Sequence, residues 1–474
     1  MREIAGRRGI AIAVAAGVVA VMVVVSGSFT SRQPRGNRPN ILIIVTDDQR
    51  PDTLAVMPET RRRFAAQGVR FPYGFVTTPH CCPSRASILT GRYAHNHGVH
   101  VRVSERDTSP ESAFQRSTLE RYLQDAGYRT AIIGKYLNGW PMSRDPPYFD
   151  AWAVVRVPTG VSYYGGEVNL NGALREMHGY NTRYVAEHAS SFIEDATEAD
   201  RPWFAYVAFK APHAPFTTEL RYRDAAVPQF AGNPASREKD VADKPPFVRS
   251  LVALERERRV RGRPVTAREK ALLVRARQLR TLMSVDDGVA AIFRTVERLG
   301  ESRRTLAIFT SDNGLTWGEH RLVAHKDLPY TPSVTVPLLL RWPGHIRPGT
   351  VDRRLAANID IAPTVLGAAG VRQPVNPPLD GRSLLSRERR RRLLLEFWRF
   401  GSFPAWASIR TRSYQYVEYF GGRRRPVFRE YYDLRRDPWQ LRNLLYQGST
   451  ERPNVRRLAR TLAAMRRCRG SDCQ

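Results

Sequence analysis

The sequence predicts an α/β protein with a large, mostly parallel sheet sandwiched by helices, followed by a smaller C-terminal subdomain with an antiparallel sheet and a helix. Continuous apolar runs are separated by stretches with helical periodicity, which is typical of parallel strands covered on both faces. After a Pro-rich stretch at 374–378 the pattern changes to short alternating runs. The length of 474 residues allows two domains and a large core.

The elements of the large sheet follow from these runs. Five apolar runs are predicted as its strands: 40–46, 130–133, 203–209, 305–310 and 336–341. Five stretches are predicted as helices: 58–67, 117–125, 179–195, 267–299 and 360–369. The segment 237–263 is highly charged with few apolar positions, and we expect a surface excursion there. In the C-terminal part we expect strands at 407–410, 414–419 and 430–434, capped by a helix at 452–467.

The first 27 residues are predicted to be a secretory signal peptide or an uncleaved signal anchor. Three arginines precede an apolar run of 16 residues, which is short for a membrane span, and small residues follow it. We therefore expect an exported chain, either secreted or anchored in a membrane through this segment. Residues 28–39 are expected to be a linker, 40–375 the main domain and 376–474 the C-terminal subdomain.

The net charge of +30 favours anionic partners. Only six of the 75 basic residues are lysines, so the chain is rich in arginine. No nucleic-acid-binding motif accompanies the charge, and nucleic acid is not an expected partner. A sulfated polysaccharide or an acidic cell-wall polymer fits the charge, and so does a merely soluble, arginine-rich surface.

The residues from 81 to 91 form the most informative motif. They read Cys-Cys-Pro-Ser-Arg-Ala-Ser-Ile-Leu-Thr-Gly, in which Cys81-x-Pro83-Ser84-Arg85 is followed by Thr-Gly. The structural alternative is a cysteine pair ahead of a helix with Pro83 in its first turn. Two further cysteines, Cys468 and Cys473, can close a small disulfide loop in an exported protein.

Acidic and amide side chains follow two of the predicted strands. Asp47 and Asp48 come directly after the first strand, and Asp312 and Asn313 follow the strand at 305–310. Ligands of parallel α/β sheets bind at the carboxyl ends of strands. Three carboxylates and an amide oxygen are hard ligands, suited to calcium or magnesium. Each pair taken alone is weak evidence, because Asp is common at helix N-caps and Asp-Asn-Gly is common in turns.

Four cationic or titratable residues complete the candidate site. Arg85 lies four residues after Cys81 and faces it if a helix begins near Pro83. Lys135 and His213 each follow a predicted strand, and Lys326 lies in the loop after Asn313. A lone Lys or His is more often solvated or structural. Nevertheless, two of only six lysines lie at the candidate site, where a cation would bind an anionic substrate.

Over about residues 38–445 the chain resembles a type I sulfatase of the alkaline-phosphatase-like superfamily. The resemblance rests on the motif at 81–91, on Asn-Ile-Leu-Ile-Ile-Val-Thr-Asp-Asp-Gln at 40–49 and on Gly-Lys-Tyr-Leu-Asn at 134–138. These segments look most like the N-acetylglucosamine-6-sulfatase branch. The C-terminal Tyr-Asp-Leu at 432–434 resembles the family's smaller subdomain.

The resemblance implies a mechanism. In the family the first cysteine of the motif is oxidised by a formylglycine-generating enzyme, and the hydrated aldehyde attacks sulfur. The resemblance assigns Asp47, Asp48, Asp312 and Asn313 as ligands of one Ca²⁺, with modified Cys81 completing the shell. It assigns the following residues to the sulfate, the protons and the leaving oxygen: Arg85, Lys135, His213 and Lys326. Loss of a proton from the second hydroxyl of the hydrate then expels sulfate and restores the aldehyde.

Two positions depart from the family pattern. Many sulfatases have His two residues after the lysine that corresponds to Lys135, whereas this chain has Leu137 and then Asn138, a substitute hydrogen-bond donor. After Tyr330 the family commonly has Glu, and this chain has Thr331. The first departure concerns substrate contacts and proton handling, and the second concerns support of the Lys326 loop.

The expected activity is hydrolysis of sulfate monoesters, from sulfated sugars or glycosaminoglycan or from aryl sulfates. Two alternatives stay open. A phosphonate or phosphate ester hydrolase of the same superfamily has a similar metal frame. The other alternative is a non-catalytic protein that has the same fold and binds sulfated glycans without hydrolysing them.

Overall fold

A ten-stranded mixed sheet forms the centre of the computed structural model. The structure describes residues 38–156, 163–257, 259–260, 263–422, 425–446 and 453–473. The predicted signal segment and most of the predicted linker lie outside the described residues. Within the described ranges, no helix combines the length and the apolar character needed to cross a membrane.

The strands are numbered in chain order. They are β1 Asn40–Thr46, β2 Val69–Arg70, β3 Gly74–Phe75, β4 Arg129–Gly134, β5 Ala151–Val155, β6 Glu167–Leu170, β7 Ala173–Glu176, β8 Trp203–Ala208, β9 Arg259–Val260, β10 Arg263–Pro264, β11 Thr305–Ser311, β12 Leu338–Arg341, β13 Thr350–Val351, β14 Ala356–Ala357, β15 Leu393–Phe397, β16 Ala405–Arg410, β17 Tyr414–Phe420 and β18 Pro426–Asp433.

The α-helices are numbered in the same way. They are α1 Pro58–Thr60, α2 Cys81–Thr90, α3 Ala94–His97, α4 Leu119–Asp125, α5 Asn181–Glu198, α6 Pro246–Glu257, α7 Ala267–Arg298, α8 Thr331–Val334, α9 Ile361–Ala368 and α10 Val455–Met465.

The strand order of the large sheet is β13-β2-β12-β11-β1-β8-β4-β5-β6-β7. The five central strands, from β11 to β5, are parallel. Their carboxyl ends therefore lie at one edge of the sheet, where polar residues that follow β1, β4, β8 and β11 can meet.

Strand β1 shows why the apolar runs are continuous. Ile41, Ile43 and Val45 belong to the core on one face of the sheet, and Leu42 and Ile44 belong to the core on the other. Helices α2, α4 and α9 contribute to the first core, and α5 and α7 contribute to the second. Because neither face of such a strand is exposed to solvent, its sequence does not alternate between apolar and polar residues.

The C-terminal part forms a separate antiparallel sheet in the order β15-β16-β17-β18. Its core includes Trp406 of β16 and Leu462 of α10, and it also includes Phe75 and Tyr93 from the main part. A disulfide joins Cys468 to Cys473, a pairing that the sequence allowed and left open. The predicted boundary at residue 375 falls between α9 and β15, and it stays a prediction.

The predicted α/β class and its elements are confirmed, with ends shifted by a few residues. Helix α1 is continued by a π-helical turn at Arg61–Ala65, so that together they account for most of the predicted helix at 58–67. The strand predicted at 336–341 is present as β12, and it pairs antiparallel with β11, which makes the mostly parallel sheet a mixed one. The charged segment at 237–263 is also more ordered than expected, since it contains α6, whose Val248 and Val252 are buried.

Glu120 of α4 gives a testable consequence for stability. It is buried on the face that carries α2, and burial raises the pKa of its carboxyl to about 8 from an ordinary value of 4.5. The folded state thus holds a proton that the unfolded chain releases between these pH values. Stability should fall as pH rises across that window, by at most about 1.4 kcal/mol per pH unit from one group.

Replacing Glu120 by Gln is expected to remove this contribution. Denaturant unfolding of both proteins is measured at pH 5 and pH 8. Relative to wild type, the free energy of unfolding of the variant should be higher at pH 8 than at pH 5. The same substitution at exposed Glu176 is the matched control. An equal difference between Glu120→Gln and wild type at both pH values would contradict the assignment.

Candidate active site

The acidic residues after β1 and β11 meet at the edge of the sheet. Thr46 and Ser311 are aligned partners in these parallel strands. The Asp48 amide donates a hydrogen bond to Asp312 Oδ1 at 3.2 Å, and Asn313 Nδ2 donates to Asp48 Oδ1 at 2.5 Å. Asp47 is fully buried, and so are Asp312 and Asn313. The four predicted metal ligands are therefore brought together.

Asp48 adopts a left-handed backbone conformation with φ of 69°. Few residues other than glycine accept this region, although Asp and Asn do so more readily than most. This conformation lets both the Asp48 amide and the Asp48 carboxylate reach the residues that follow β11. The turn after β1 is thus built to present two consecutive carboxylates to one site.

Cys81 lies at the first position of α2 and is only 3% exposed. Its Sγ is 3.4 Å from Asp47 Oδ1 and 2.8 Å from Lys326 Nζ. Burial and the nearby Asp47 carboxylate raise the pKa of the thiol well above its ordinary value. An unmodified Cys81 is therefore protonated at neutral pH and is a poor nucleophile. Neither Cys81 nor Cys82 forms a disulfide.

Arg85 lies below Cys81 on the same helix. Helix α2 begins at Cys81, two residues before Pro83, so Arg85 falls in the second turn and not in the first. Its Nε donates to Asp312 Oδ2 at 2.8 Å and its Nη1 donates to the carbonyl of Lys135 at 2.7 Å. At 1% exposed, this guanidinium is a fixed cation beneath the carboxylates.

Lys135 follows β4, and its ammonium forms an ion pair with Asp47. The residue before it, Gly134, has φ of 104°, and a Cβ there would lie 2.0 Å from the carbonyl oxygen of Ala208. Only glycine permits this close approach of β4 to β8. The turn carries Lys135 to the carboxylates, as the sequence predicted.

Lys326 and His213 approach the cluster from two separate loops. Lys326 Nζ is 2.7 Å from Asp48 Oδ1. The His213 Nδ1–H donates to the carbonyl of Ala214 at 2.8 Å, and Nε2 is 3.8 Å from Asp48 Oδ2. Burial lowers the pKa of His213, so the imidazole is neutral at pH 7 and its Nε2 lone pair faces the site.

The cationic residues determine the protonation of the cluster. Burial alone raises the pKa of a carboxyl, yet the cations Lys135, Lys326 and Arg85 hold the pKa of Asp47 well below its usual range. Burial and the neighbouring Asp47 raise the pKa of Asp312. Asp48 and Cys81 raise the pKa of Lys326 against the opposing effect of burial. Lys326 is therefore a firmly protonated ammonium beside the sulfur of Cys81.

The cluster has the composition of a metal site. One potential ligand atom from each of four residues lies within 4.8 Å of the others, and these residues are Asp47, Asp48, Cys81 and His213. Asn313 adds an amide whose buried Oδ1 has no hydrogen-bond partner among the described residues. Such an oxygen is costly to bury alone and fits a cation ligand. The residues therefore fit a divalent ion held by hard oxygen ligands.

Comparison with known proteins agrees with this geometry. The family model described as Sulfatase matches residues 39–371. The chain belongs to the sulfatase family. A second model, described as N-sulphoglucosamine sulphohydrolase, C-terminal, matches residues 318–468. The family matches thus cover both the large sheet and the C-terminal sheet.

Individual sulfatases are similar over most of the chain. An extracellular sulfatase SULF-1 homologue of Drosophila melanogaster is 34% identical over 75% of this chain and 32% of its own length. An N-acetylglucosamine-6-sulfatase of Capra hircus is 30% identical over 92% of this chain and 85% of its own length. A solved structure in complex with D-glucosamine-2-N,6-O-disulfate shares the fold, with a TM-score of 0.71 and 24% identity, covering 90% of this chain and 97% of that chain.

The chain is shorter than several of these sulfatases. It spans 54%, 32% and 64% of the lengths of the first three curated relatives that it matches. The match therefore concerns only part of each of these proteins.

The two departures from the sulfatase pattern have structural settings. Leu137 is 5% exposed and packs in the core, and Asn138 lines a cavity beside Lys135. Thr331 donates both from its amide and from its hydroxyl to Gln440 Oε1 at 2.8 Å. Thr331 thus connects the region after Lys326 to the C-terminal part, which agrees with the expected supporting role.

Three residues near the site were not assigned from the sequence. His80 Nδ1 is 2.8 Å from Asp327 Oδ1, so the residues that precede Cys81 and follow Lys326 form a pair. Lys210 is 2% exposed, and burial lowers its pKa to about 8. The sequence signal for the pair was that His80 and Asp327 adjoin Cys81 and Lys326, and the signal for Lys210 was its position two residues after β8.

Proposed function

We propose that this chain hydrolyses sulfate monoesters. The observation that carries the proposal is the single buried cluster in which Cys81 lies between three carboxylates and three cations. A sulfate ester resists attack because its own oxygens are anionic, so an enzyme must supply preorganised positive charge. Arg85, Lys135 and Lys326 provide that charge, and membership of the sulfatase family supports the assignment.

Cys81 is proposed to become formylglycine through a formylglycine-generating enzyme. When hydrated, formylglycine supplies an oxygen nucleophile and a second hydroxyl that later expels sulfate. The buried, protonated thiol supports this proposal, because it is unsuited to act unmodified. Lys326 Nζ, 2.8 Å from Cys81 Sγ, is positioned to stabilise negative charge at this position.

Asp47, Asp48, Asp312 and Asn313 are proposed to hold one Ca²⁺, with modified Cys81 as a further ligand. A divalent ion would add positive charge at the sulfate oxygens. It would also relieve the repulsion between carboxylates that share one buried site, and it would give Asn313 Oδ1 a partner.

Proton transfers are proposed for the neighbouring residues. Asp312 is placed to accept a proton during attack, since its pKa is raised while it stays close to the site. Lys326, a protonated ammonium, and His213 are placed to protonate the leaving alcohol. His213 must first gain a proton, because burial keeps it neutral.

The proposed substrates are sulfated sugars. Relatives named N-acetylglucosamine-6-sulfatase support this class, and the arylsulfatases of Volvox carteri and Chlamydomonas reinhardtii support small aryl sulfates as alternative substrates. The net charge of +30 would attract a polyanionic glycan. We further propose that the chain is exported, either secreted or anchored in a membrane through its N-terminal segment.

The deciding experiment compares esters that differ only in the anion. Protein produced with a formylglycine-generating enzyme should hydrolyse 4-nitrophenyl sulfate much faster than 4-nitrophenyl phosphate or a phosphonate monoester. The reverse preference would favour a phosphonate or phosphate ester hydrolase. Tight binding to heparin without turnover of any ester would favour a non-catalytic glycan-binding protein.

Removal of the metal gives an independent prediction. Treatment with EDTA is expected to abolish activity and to lower the melting temperature, because a ligand at a hundred times its Kd stabilises a fold by about 2.7 kcal/mol. Added Ca²⁺ should restore both properties. The variant Asn313→Ala should show a smaller shift in melting temperature with Ca²⁺. A melting temperature that does not respond to EDTA or Ca²⁺ would contradict the metal assignment.

A further inference from the structure

A cavity of about 530 Å³ opens beside Lys135. Besides Lys135, its lining includes His80, Leu137, Asn138, Trp140 and Phe400. Lys135 also forms an ion pair with Asp47, so the cavity borders the carboxylate cluster directly. A group esterified to a sulfate at the cluster would extend into this space.

Among the described residues that line this cavity, His80 has the one imidazole, and it is held from two sides. The residue is 9% exposed, with Nδ1 at 2.8 Å from Asp327 Oδ1. The Asp327 amide donates to the carbonyl of Pro79 at 3.2 Å, and Trp406 Nε1 donates to the carbonyl of Asp327 at 2.8 Å. Asp327 also has a left-handed backbone with φ of 70°, which these contacts stabilise. The pair is therefore rigid before any ligand arrives.

The pairing determines what His80 offers to the cavity. A carboxylate only accepts hydrogen bonds, so the proton of the neutral ring lies on Nδ1. Nε2 then carries a lone pair, and none of the described residues donates a hydrogen bond to it. An acceptor fixed in this way is suited to the hydroxyl group of a ligand.

Aromatic surface lies next to this acceptor. Phe400 is 46% exposed although it is a large apolar side chain, and its ring centroid is 5.0 Å from that of His80. Trp140 lines the same cavity, with its indole N–H bonded to the carbonyl of Arg144 at 2.8 Å. A half-exposed phenyl ring beside a polar acceptor fits a ligand that has both apolar C–H faces and hydroxyl groups, such as a sugar ring.

We propose that this cavity is the subsite for the sugar ring of the substrate, and that His80, oriented by Asp327, selects sugars by accepting a hydrogen bond from a ring hydroxyl. Where many sulfatases have an imidazole two residues after the active-site lysine, this chain has buried Leu137, and the imidazole that faces the cavity comes from position 80. The inference rests on the proposed sulfatase function and adds the residues that distinguish a sugar sulfate from an aryl sulfate.

The test compares N-acetylglucosamine 6-sulfate with 4-nitrophenyl sulfate, which has no hydroxyl group. The double variant His80→Phe with Asp327→Asn removes the acceptor without leaving a buried carboxylate unpaired, and Phe preserves the packing against Phe400. Asp327→Asn alone controls for the shared change. Formylglycine content is measured by mass spectrometry for each protein, because position 80 adjoins Cys81.

The double variant is expected to lose about tenfold in kcat/KM for the sugar sulfate, the effect of one lost hydrogen bond to substrate, and to change by less than about twofold for the aryl sulfate. Phe400→Ala, at an exposed position where the fold tolerates change, should raise KM for both esters, because any group esterified to the bound sulfate extends past this ring. As a control, His95→Phe breaks a similar pair, in which Nδ1 is 2.9 Å from Glu396, and should leave the ratio of the two rates unchanged.

Two results would contradict the assignment of this cavity as the sugar subsite. Equal losses on both substrates in the double variant would make His80 a support for the nucleophile and not a selector. An unchanged ratio in the double variant, together with an unchanged KM for the sugar sulfate in Phe400→Ala, would place the sugar elsewhere. Failure of the fully modified wild type on both esters would instead refute the proposed function, so the two failures are distinguishable.

Discussion

Replacing Cys81 by Ala is expected to reduce hydrolysis of sulfate esters by at least about a thousandfold, because removal of a nucleophile eliminates the covalent step and leaves only binding and electrostatic catalysis. The fold should persist, since the substitution removes one sulfur from a position surrounded by polar groups and not from an apolar core. Steady-state rates on 4-nitrophenyl sulfate, with circular dichroism as a check on folding, measure both effects.

The matched control is Cys82→Ala. Cys82 is equally buried and adjacent, but its Sγ contacts the carbonyl of Asn138 and not the carboxylate cluster. This variant should retain most of the activity once its formylglycine content is matched to wild type. Retained turnover in Cys81→Ala, or comparable losses in the two variants, would exclude Cys81 as the nucleophile.

Replacing Arg85 by Leu is expected to be the most destabilising single change at the site. Arg85 is the buried partner of Asp312 and donates to the carbonyl of Lys135, so its loss leaves carboxylates without their fixed cation. Breaking a buried ion pair by removing one partner costs about 3–5 kcal/mol. Activity should fall as well, because the positive charge beneath the sulfate is lost. Denaturant unfolding and the rate on 4-nitrophenyl sulfate report the two effects.

Arg390→Leu is the control for Arg85→Leu. Arg390 forms a buried pair with Asp360, outside the carboxylate cluster. Its loss should lower the free energy of unfolding by a similar amount and leave kcat for the folded protein nearly unchanged. If both variants lose stability and neither loses kcat, Arg85 is structural and takes no part in binding sulfate.

Much of the central fold could be predicted because buried parallel strands have a distinctive pattern. In β1 the residues from Ile41 to Val45 are all apolar and face one core or the other. Helices α5 and α7, which cover one face of the sheet, are long enough to show helical periodicity. The edge strands were harder. Strands β6 and β7 are short and partly exposed, so their residues carry no clear periodicity. The direction of β12 depends on its partner β11 and cannot be read from its own residues.

In the candidate site, too, some contacts could be predicted from the sequence and others could not. Asp47 and Asp312 could be predicted to meet because each follows a central strand, and parallel topology aligns strand ends. The pair formed by His80 and Asp327 joins residues 247 positions apart through loops, and no periodic pattern reports such a contact. Helix α6 was missed because its many charged residues conceal an apolar stripe that packs Val248 and Val252 inward.

The central claim is that Cys81 acts as formylglycine, and the most direct test is a mass spectrum of the peptide that contains Cys81, from protein produced with a formylglycine-generating enzyme. The proposal predicts that the cysteine is converted to the aldehyde at this position, that Cys82 is unchanged, and that activity rises in proportion to the converted fraction. An unmodified thiol despite a working maturase control, or full activity in protein that carries the thiol, would contradict it.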